Sequence, residues 1–199
     1  TNGTSYIFRV ANVVNGVVGA FSTASSAYVP FGVPGVPTSL AGTRGNQQVA
    51  LTWTAPASSG GSAITDYLVQ SSTDQVTWTT FADGTSTNTS ATVTGLTNGT
   101  TYYFRVAASN TNGTGSYTAA SSALVPATTP GTPTMSTITA GNTQATVTWS
   151  APASTGGVAI SDYAIQYSSD SGSTWTTFTD GVSTSTSATV PGLTNGTSY

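Results

Sequence analysis

The side chains that could carry out chemistry in this sequence are six aspartates, since the chain has no His, Cys, Lys or Glu. Catalysis would therefore have to rest on carboxylates, as in the paired carboxylates of glycoside hydrolysis. The aspartates form three pairs that recur at equivalent places in a repeated sequence: Asp66 with Asp162, Asp74 with Asp170, and Asp83 with Asp180. The last pair precedes Gly, a common turn combination. We interpret all six as residues of turns and strand ends, and we predict no catalytic residue.

The scarcity of charge excludes several kinds of partner. Three Arg and six Asp give a net charge of −3, and only 5% of the residues are charged. Nucleic acids and anionic membrane surfaces are bound by clustered Lys and Arg, whereas Arg9, Arg44 and Arg105 are scattered along the chain. No apolar run reaches the roughly 18 residues of a membrane helix. We predict no nucleic acid partner, no membrane insertion, no metal and no cofactor.

Two of the four Trp residues are candidates for contact with a glycan. Trp78 and Trp175 both lie in the motif TWTTF, on a short strand after the third predicted strand. An exposed indole at that place could stack on a sugar ring. The alternative is that each indole covers an edge of the fold and is partly buried. We favour the structural interpretation and keep the glycan contact as a second hypothesis.

These candidate residues recur because the sequence is a tandem repeat. Residues 49–70, VALTWTAPASSGGSAITDYLVQ, match residues 145–166, ATVTWSAPASTGGVAISDYAIQ. The step from Trp53 to Trp149 is 96 residues, and the step from Leu96 to Leu193 is 97 because one residue is inserted. The same six letters, TNGTSY, open and close the chain. We interpret the chain as a stretch of a longer array, cut twice at equivalent points of the repeat.

Within one period, apolar residues alternate with polar ones in short segments. The segment QVALTWT places Leu51 and Trp53 on one face, and TYYFRVAAS places Tyr102, Phe104 and Val106 on one face. Such alternation is typical of β-strands with one buried side. Seven segments of this kind, separated by Gly, Pro, Asn and Asp, predict an antiparallel β-sandwich. No segment has the periodicity of a helix.

The entry VPGVPTSL, the Trp of LTWTAP and the motif LTNGTTYYFRVAASN resemble the fibronectin type III family over essentially the whole chain. The resemblance implies an all-β chain of tandem seven-stranded antiparallel sandwiches of the immunoglobulin-like kind. It also implies that Tyr102 is the tyrosine-corner residue, buried and bonded through its hydroxyl to backbone near the turn with Leu96. The core positions that it implies are Trp53, Tyr67, Leu96, Tyr102, Trp149, Tyr163 and Leu193.

Mapped on that fold, the chain contains one complete domain and two fragments. Residues 31–126 are predicted to form the complete domain. Residues 1–30 resemble only strands F and G of a preceding domain, and residues 127–199 resemble strands A to E and the start of F of a further one. Because neither fragment can bury a sandwich core alone, we expect strands of a neighbouring repeat to complete the open one. The strands could belong to the same chain or to a separate one.

These observations favour a non-catalytic structural repeat. A composition this poor in charge and Cys indicates a bacterial origin. With this structural role we predict an extracellular or cell-surface location in a large bacterial protein. Head-to-tail copies of the repeat, joined by short Pro-containing linkers, would form the stalk or filament of an adhesin. Neighbouring copies are the predicted partners, with surface glycans or other cells as further ones. The alternative is a spacer or glycan-binding module of a secreted carbohydrate-active enzyme.

Overall fold

The computed structural model describes residues 1–199, and all of its regular elements are strands. The chain divides into two compact units. Unit 1 comprises Thr1–Leu96 and Thr100–Val125, and unit 2 comprises Thr97–Gly99 and Pro126–Tyr199. Every pair of neighbouring strands is antiparallel. The predicted all-β fold class is confirmed.

Unit 1 contains a short hairpin followed by a two-sheet sandwich. The hairpin pairs β1 (Val13–Val14) with β2 (Val17–Val18). The sandwich strands are β3 (Thr38–Gly45), β4 (Gln48–Thr54), β5 (Ile64–Ser72), β6 (Thr79–Thr80), β7 (Ser90–Thr94), β8 (Tyr103–Asn110) and β9 (Gly113–Thr114). One sheet has the order β3-β4-β7, and the other has the order β6-β5-β8-β9. In the letters used for this kind of sandwich, β8 is strand F and β9 begins strand G.

The core of unit 1 lies between these two sheets. In β4 the buried residues Val49, Leu51 and Trp53 alternate with exposed ones, as a strand with one covered face requires. Phe104 and Val106 of β8 are fully buried from the opposite sheet. Side chains of both sheets therefore fill the interior. The indole N–H of Trp53 has no hydrogen-bond acceptor in the protein. Trp53 therefore stabilises the core by filling space with its apolar ring.

Strand G continues past β9 as a segment that pairs with β8. Between successive hydrogen bonds this segment advances three residues, whereas β8 advances two. The N–H groups of Gly115, Thr118, Ser121 and Leu124 donate to the carbonyl oxygens of Ala108, Val106, Phe104 and Tyr102 at 2.8 to 3.0 Å. The hydroxyl oxygens of Ser121 and Thr118 accept from the N–H groups of Phe104 and Val106, at 3.0 and 3.2 Å. Hydroxyls thus satisfy buried backbone donors that a regular ladder would pair with carbonyls.

Residues 1–30, which we call the N-terminal hairpin, repeat this pattern. The N–H groups of Gly19, Ser22, Ser25 and Tyr28 donate to the carbonyl oxygens of Asn12, Val10, Phe8 and Tyr6 at 2.8 to 2.9 Å. The hydroxyls of Ser25 and Ser22 accept from the N–H groups of Phe8 and Val10. Asn15 and Gly16, with φ of 48° and 81°, form the tight turn that joins β1 to β2. The hairpin therefore has the local structure of strands F and G.

Unit 2 contains the same first sheet and only part of the second. Its strands are β10 (Thr134–Gly141), β11 (Gln144–Ser150), β12 (Ile165–Tyr167), β13 (Thr176–Phe178) and β14 (Ser187–Pro191). The first sheet has the order β10-β11-β14, and the second pairs β12 with β13 alone. The strand equivalent to β12 in unit 1 is nine residues long, against three here. The difference arises because β5 pairs with β8 along its length and unit 2 has no equivalent of β8.

The hydroxyl-bridged ladder leads to a test of stability. We expect Ser121→Ala to lower the free energy of unfolding of unit 1 by about 1 to 3 kcal/mol, because the N–H of fully buried Phe104 loses an acceptor. Ser122→Ala is the matched control, since its side chain is exposed. Chemical denaturation followed by Trp fluorescence measures both. Equal stability of the two variants would contradict a role for the hydroxyl.

Candidate functional site

Two aspartates, Asp66 and Asp162, hold backbone N–H groups. In unit 1 the Asp66 carboxylate accepts from the N–H groups of Tyr67 and Ser86, both at 2.9 Å. In unit 2 the Asp162 carboxylate accepts from Tyr163 at 2.9 Å and from Ser183 at 3.0 Å. Each carboxylate thus ties the third strand region to the segment before the next strand of the other sheet. This geometry is that of a structural carboxylate.

Asp74 and Asp170 close turns in the same way. Hydrogen bonds from the N–H groups of Val76 and Thr77 and from the Ser72 hydroxyl lower the pKa of Asp74 to about 2. Hydrogen bonds from Thr174 and Ser168 lower the pKa of Asp170 to about 2. A carboxyl with so low a pKa is a poor general acid or base at neutral pH. Asp83 and Asp180 are exposed.

From the lowered pKa of Asp74 and of Asp170 we predict how the stability of the fold changes at acidic pH. Both carboxyls have an ordinary pKa of 3.8, so the unfolded chain binds protons more readily than the folded one. The stability that they supply is present above about pH 4 and is lost as the pH falls toward about 2. We expect the melting temperature to fall over that range, and less steeply in Asp74→Ala. Thr85→Ala, at an exposed residue of the same unit, is the control; an equally steep fall in Asp74→Ala would contradict this account.

No group of three or more Asp, Glu, His and Cys residues lies close enough together to hold a metal ion. No helix is long and apolar enough to cross a membrane.

Trp78 lies in an aromatic and cationic stack on the outer face of the sheet that contains β8. The Arg105 guanidinium lies 4.2 Å from the Trp78 ring centroid and 4.5 Å from that of Tyr117. The Arg105 Nε also donates to the Gln70 side chain at 2.8 Å. The Trp78 indole N–H donates to the Gln75 carbonyl at 3.2 Å. Trp78 is half-buried, and one of its faces is covered by Arg105.

Trp175, the second candidate for a glycan contact, lies in different surroundings. It is 60% exposed. It lines an apolar groove of about 690 Å³ in unit 2, which we call the open groove. Ile138, Val147, Trp149, Tyr163, Ile165 and Leu193 also line this groove. The open groove lies where strands F and G cover the core of a complete sandwich, so residues that would be interior are accessible from one side.

The predicted core residues lie inward to different extents. Trp53, Tyr67 and Leu96 are buried in unit 1, and Trp53 meets Tyr67 edge to face at 5.4 Å. Tyr102 was expected to be buried, but it is half-buried and packs against the rim of the core. The role of its hydroxyl stays a prediction. In unit 2, Trp149 and Leu193 are buried and Tyr163 is half-buried beside the open groove.

The paired glycines of both units make close backbone contacts that the sequence interpretation missed. A Cβ on Gly61 would lie 2.6 Å from the nitrogen of Gly3, and a Cβ on Gly157 would lie 2.6 Å from the nitrogen of Gly99. In both units the loop glycine therefore packs against a Thr-Asn-Gly turn from the preceding repeat. Only Gly fits there, since φ is also positive, +90° and +100°. The recurrence of Gly-Gly at the period of 96 residues was the available signal.

Comparison with solved structures gives partial matches. A crystal structure of domains from titin is 35% identical, with a TM-score of 0.44, over 47% of this chain and 32% of that one. A structure of titin kinase and its flanking domains is also 35% identical, with a TM-score of 0.44, over 48% of this chain and 17% of that one. The FN1–FN3 domains of chicken CNTN1 are 22% identical, with a TM-score of 0.44, over 80% of this chain and 56% of that one.

The fold defines the class of protein, which is an antiparallel β-sandwich repeated in tandem. The family model for the fibronectin type III domain matches residues 35–123 and 129–199, most of the chain. The chain belongs to the fibronectin type III domain family. The chain spans about a third and about a sixth of the two titin chains that it matches.

Proposed function

We propose that this chain is a non-catalytic structural segment of a bacterial surface protein, in which fibronectin type III repeats follow one another head to tail as an extracellular stalk or filament. The observation that supports the proposal most is the recurrence of one backbone contact, in which Gly61 packs against Gly3 and Gly157 packs against Gly99. A contact that only Gly permits, repeated once per period, is expected of modules selected for connection to their neighbours.

The state of the carboxylates supports the non-catalytic part of the proposal. Four of the six aspartates use their oxygens to hold backbone N–H groups of strands and turns. The low pKa of Asp74 and Asp170 keeps them ionised at neutral pH. A pair of carboxyls for glycoside hydrolysis needs one member with a raised pKa to act as the acid. The pKa of Asp74 and that of Asp170 are lowered, which is the opposite direction.

One observation favours a second candidate function, a spacer or glycan-binding module of a secreted carbohydrate-active enzyme. Trp175 exposes 60% of its surface beside an apolar groove. Exposed aromatic rings next to a groove are suited to stacking on sugars. Against this candidate, the equivalent Trp78 has one face covered by Arg105. In a complete repeat, that face of the indole is therefore not available to a sugar.

The location and the lack of activity can be tested directly. We expect antibodies against this segment to label intact cells of the source organism, and the purified chain to leave polysaccharide, ester and peptide substrates at background rates. Labelling only after permeabilisation would contradict the surface location. Turnover that disappears in Asp66→Asn or Asp162→Asn would contradict the structural role, with the turn variant Asp83→Asn as control.

The two candidate functions predict different effects of oligosaccharides on Trp fluorescence. We expect no saturable change when bacterial and plant oligosaccharides are titrated into the chain. The variants Trp78→Ala and Trp175→Ala then behave as the wild type does. Saturable quenching that is lost in Trp175→Ala and kept in Trp78→Ala would favour the glycan-binding candidate and would locate it at the open groove.

A further inference from the structure

The segment that leads into the complete domain is held by two loops of that domain. We call residues 29–37, VPFGVPGVP, the entry linker. The B–C loop, residues 55–63, joins β4 to β5, and the F–G loop, residues 110–113, joins β8 to β9. We propose that Asn110 and Asn112 are positioning residues that clamp the entry linker onto its own domain. The side chains at these two places of the F–G loop would then set how rigid the linker is.

The proposal rests on the proposed function, a stalk or filament of repeats, and it names contacts that would stiffen a linker of that stalk. Its test uses the purified chain and measures only how firmly the linker is held. A negative result would therefore remove the clamp and leave the surface location and the non-catalytic role as they stand. Labelling of permeabilised cells alone would remove the surface stalk and leave the clamp.

The B–C loop holds the entry linker through backbone hydrogen bonds. The N–H of Gly32 donates to the carbonyl oxygen of Gly60 at 2.8 Å, and the N–H of Gly35 donates to that of Ser58 at 2.9 Å. A Cβ on Gly60 would collide with the carbonyl oxygens of Gly32 and Val33. Unit 2 repeats both hydrogen bonds, at 2.8 and 2.9 Å, in the pairs Thr128–Gly156 and Gly131–Ser154. This part of the contact therefore recurs with the repeat and uses no side chain.

Asn110 of the F–G loop holds the linker through its side-chain amide. Its Nδ2 donates to the carbonyl oxygens of Gly32 and Ser59, each at 2.8 Å. Its Oδ1 accepts from the N–H of Asn112 at 2.8 Å. Only 6% of Asn110 is exposed, so loss of the amide would deprive partly buried carbonyl groups of their donor, which is costly. One side chain thus connects the linker, the B–C loop and the F–G loop.

Asn112 adds a second amide at the same carbonyl group. Its Nδ2 donates to the carbonyl oxygen of Gly32 at 3.3 Å and to the hydroxyl of Ser62 at 3.0 Å. The Gly32 oxygen therefore accepts from two amides, which matches its two lone pairs. Gly32 is held at its N–H by the B–C loop and at its carbonyl group by the F–G loop. Beyond it, a Cβ on Gly115 would collide with the carbonyl oxygen of Pro34, so strand G also lies against the linker.

The other F–G loop of the chain has different side chains at both places. The two loops align at a step of 96 residues, because the hydrogen bonds between strands F and G recur with that spacing. In this alignment Val14 holds the position of Asn110, and Gly16 holds that of Asn112. Neither Val nor Gly has a side-chain donor. A repeat with such a loop would hold its linker through the B–C loop alone, so linker rigidity would differ between repeats.

Amide hydrogen exchange in the full 199-residue chain, followed residue by residue by NMR, tests the clamp. The double variant Asn110→Val with Asn112→Gly gives the complete domain the side chains of the other loop. We expect the protection of the Gly32 amide to fall about tenfold or more, because the linker then opens locally without breaking the amide hydrogen bonds. Unchanged protection of Gly32 in this variant, folded by circular dichroism, would overturn the proposal.

Two control variants separate the clamp from general stability. Thr111→Asn changes the exposed residue between the two amides to the residue of the other loop, and it should leave the protection of Gly32 unchanged. Ser121→Ala removes a hydrogen bond of strand G far along the chain from the linker contacts. It should lower the protection of Leu51 in the central strand β4 and leave that of Gly32 unchanged. An equal fall at Gly32 in Ser121→Ala would overturn the assignment of a local clamp.

Single variants at half-buried Asn112 test the clamp even where the double variant does not fold. Asn112→Gly should lower the protection of Gly32 severalfold, since it removes the second amide. Asn112→Asp keeps the shape of the side chain but replaces its donors by a carboxylate oxygen, which only accepts hydrogen bonds. It should lower the protection of Gly32 at least as much as Asn112→Gly does. Wild-type protection of Gly32 in Asn112→Asp would overturn the role of the amide donors.

Discussion

The structure depends on the requirement that a sheet with an apolar face be covered by a second sheet. In unit 1 this requirement is met, since Leu51 and Trp53 of one sheet meet Phe104 and Val106 of the other and all four are buried. Where it is not met, the same sequence pattern leads to exposure, as for Phe8 and Val10. Burial in this chain is therefore a property of completed pairs of sheets, and the alternating strand pattern only creates the need for them.

Low charge imposes a second constraint, which the hydroxyl side chains meet. Ser and Thr make up 70 of the 199 residues. Some serve as acceptors within the sheet, where Ser121 and Thr118 replace carbonyls of strand G. Others, such as Ser72 and Ser168, organise the turns closed by Asp74 and Asp170. Hydrogen bonds rather than ion pairs thus position the polar parts of the fold, and the few carboxylates are used for the same purpose.

The sequence was sufficient to predict the fold class and the inward residues of strands with a period of two, such as Trp53 and Phe104. It did not reveal the pairing of strand G, because Gly115, Thr118, Ser121 and Leu124 are three residues apart and match neither a strand nor a helix period. It also did not indicate that Arg105 stacks on Trp78, since the outward residues of adjacent strands meet only after the register is known. Tyr102 is less buried than expected because it packs against the buried cluster from outside it.

The free energy of filling the open groove depends on whether the covering strands are covalently joined to unit 2. If strands F and G are joined covalently behind residue 199, their effective concentration at the groove is high, and the contact forms within one molecule. If they come from a separate copy, the same contacts must also offset the loss of translational and rotational freedom. Covalent continuity therefore governs how much of the groove is filled at a given concentration.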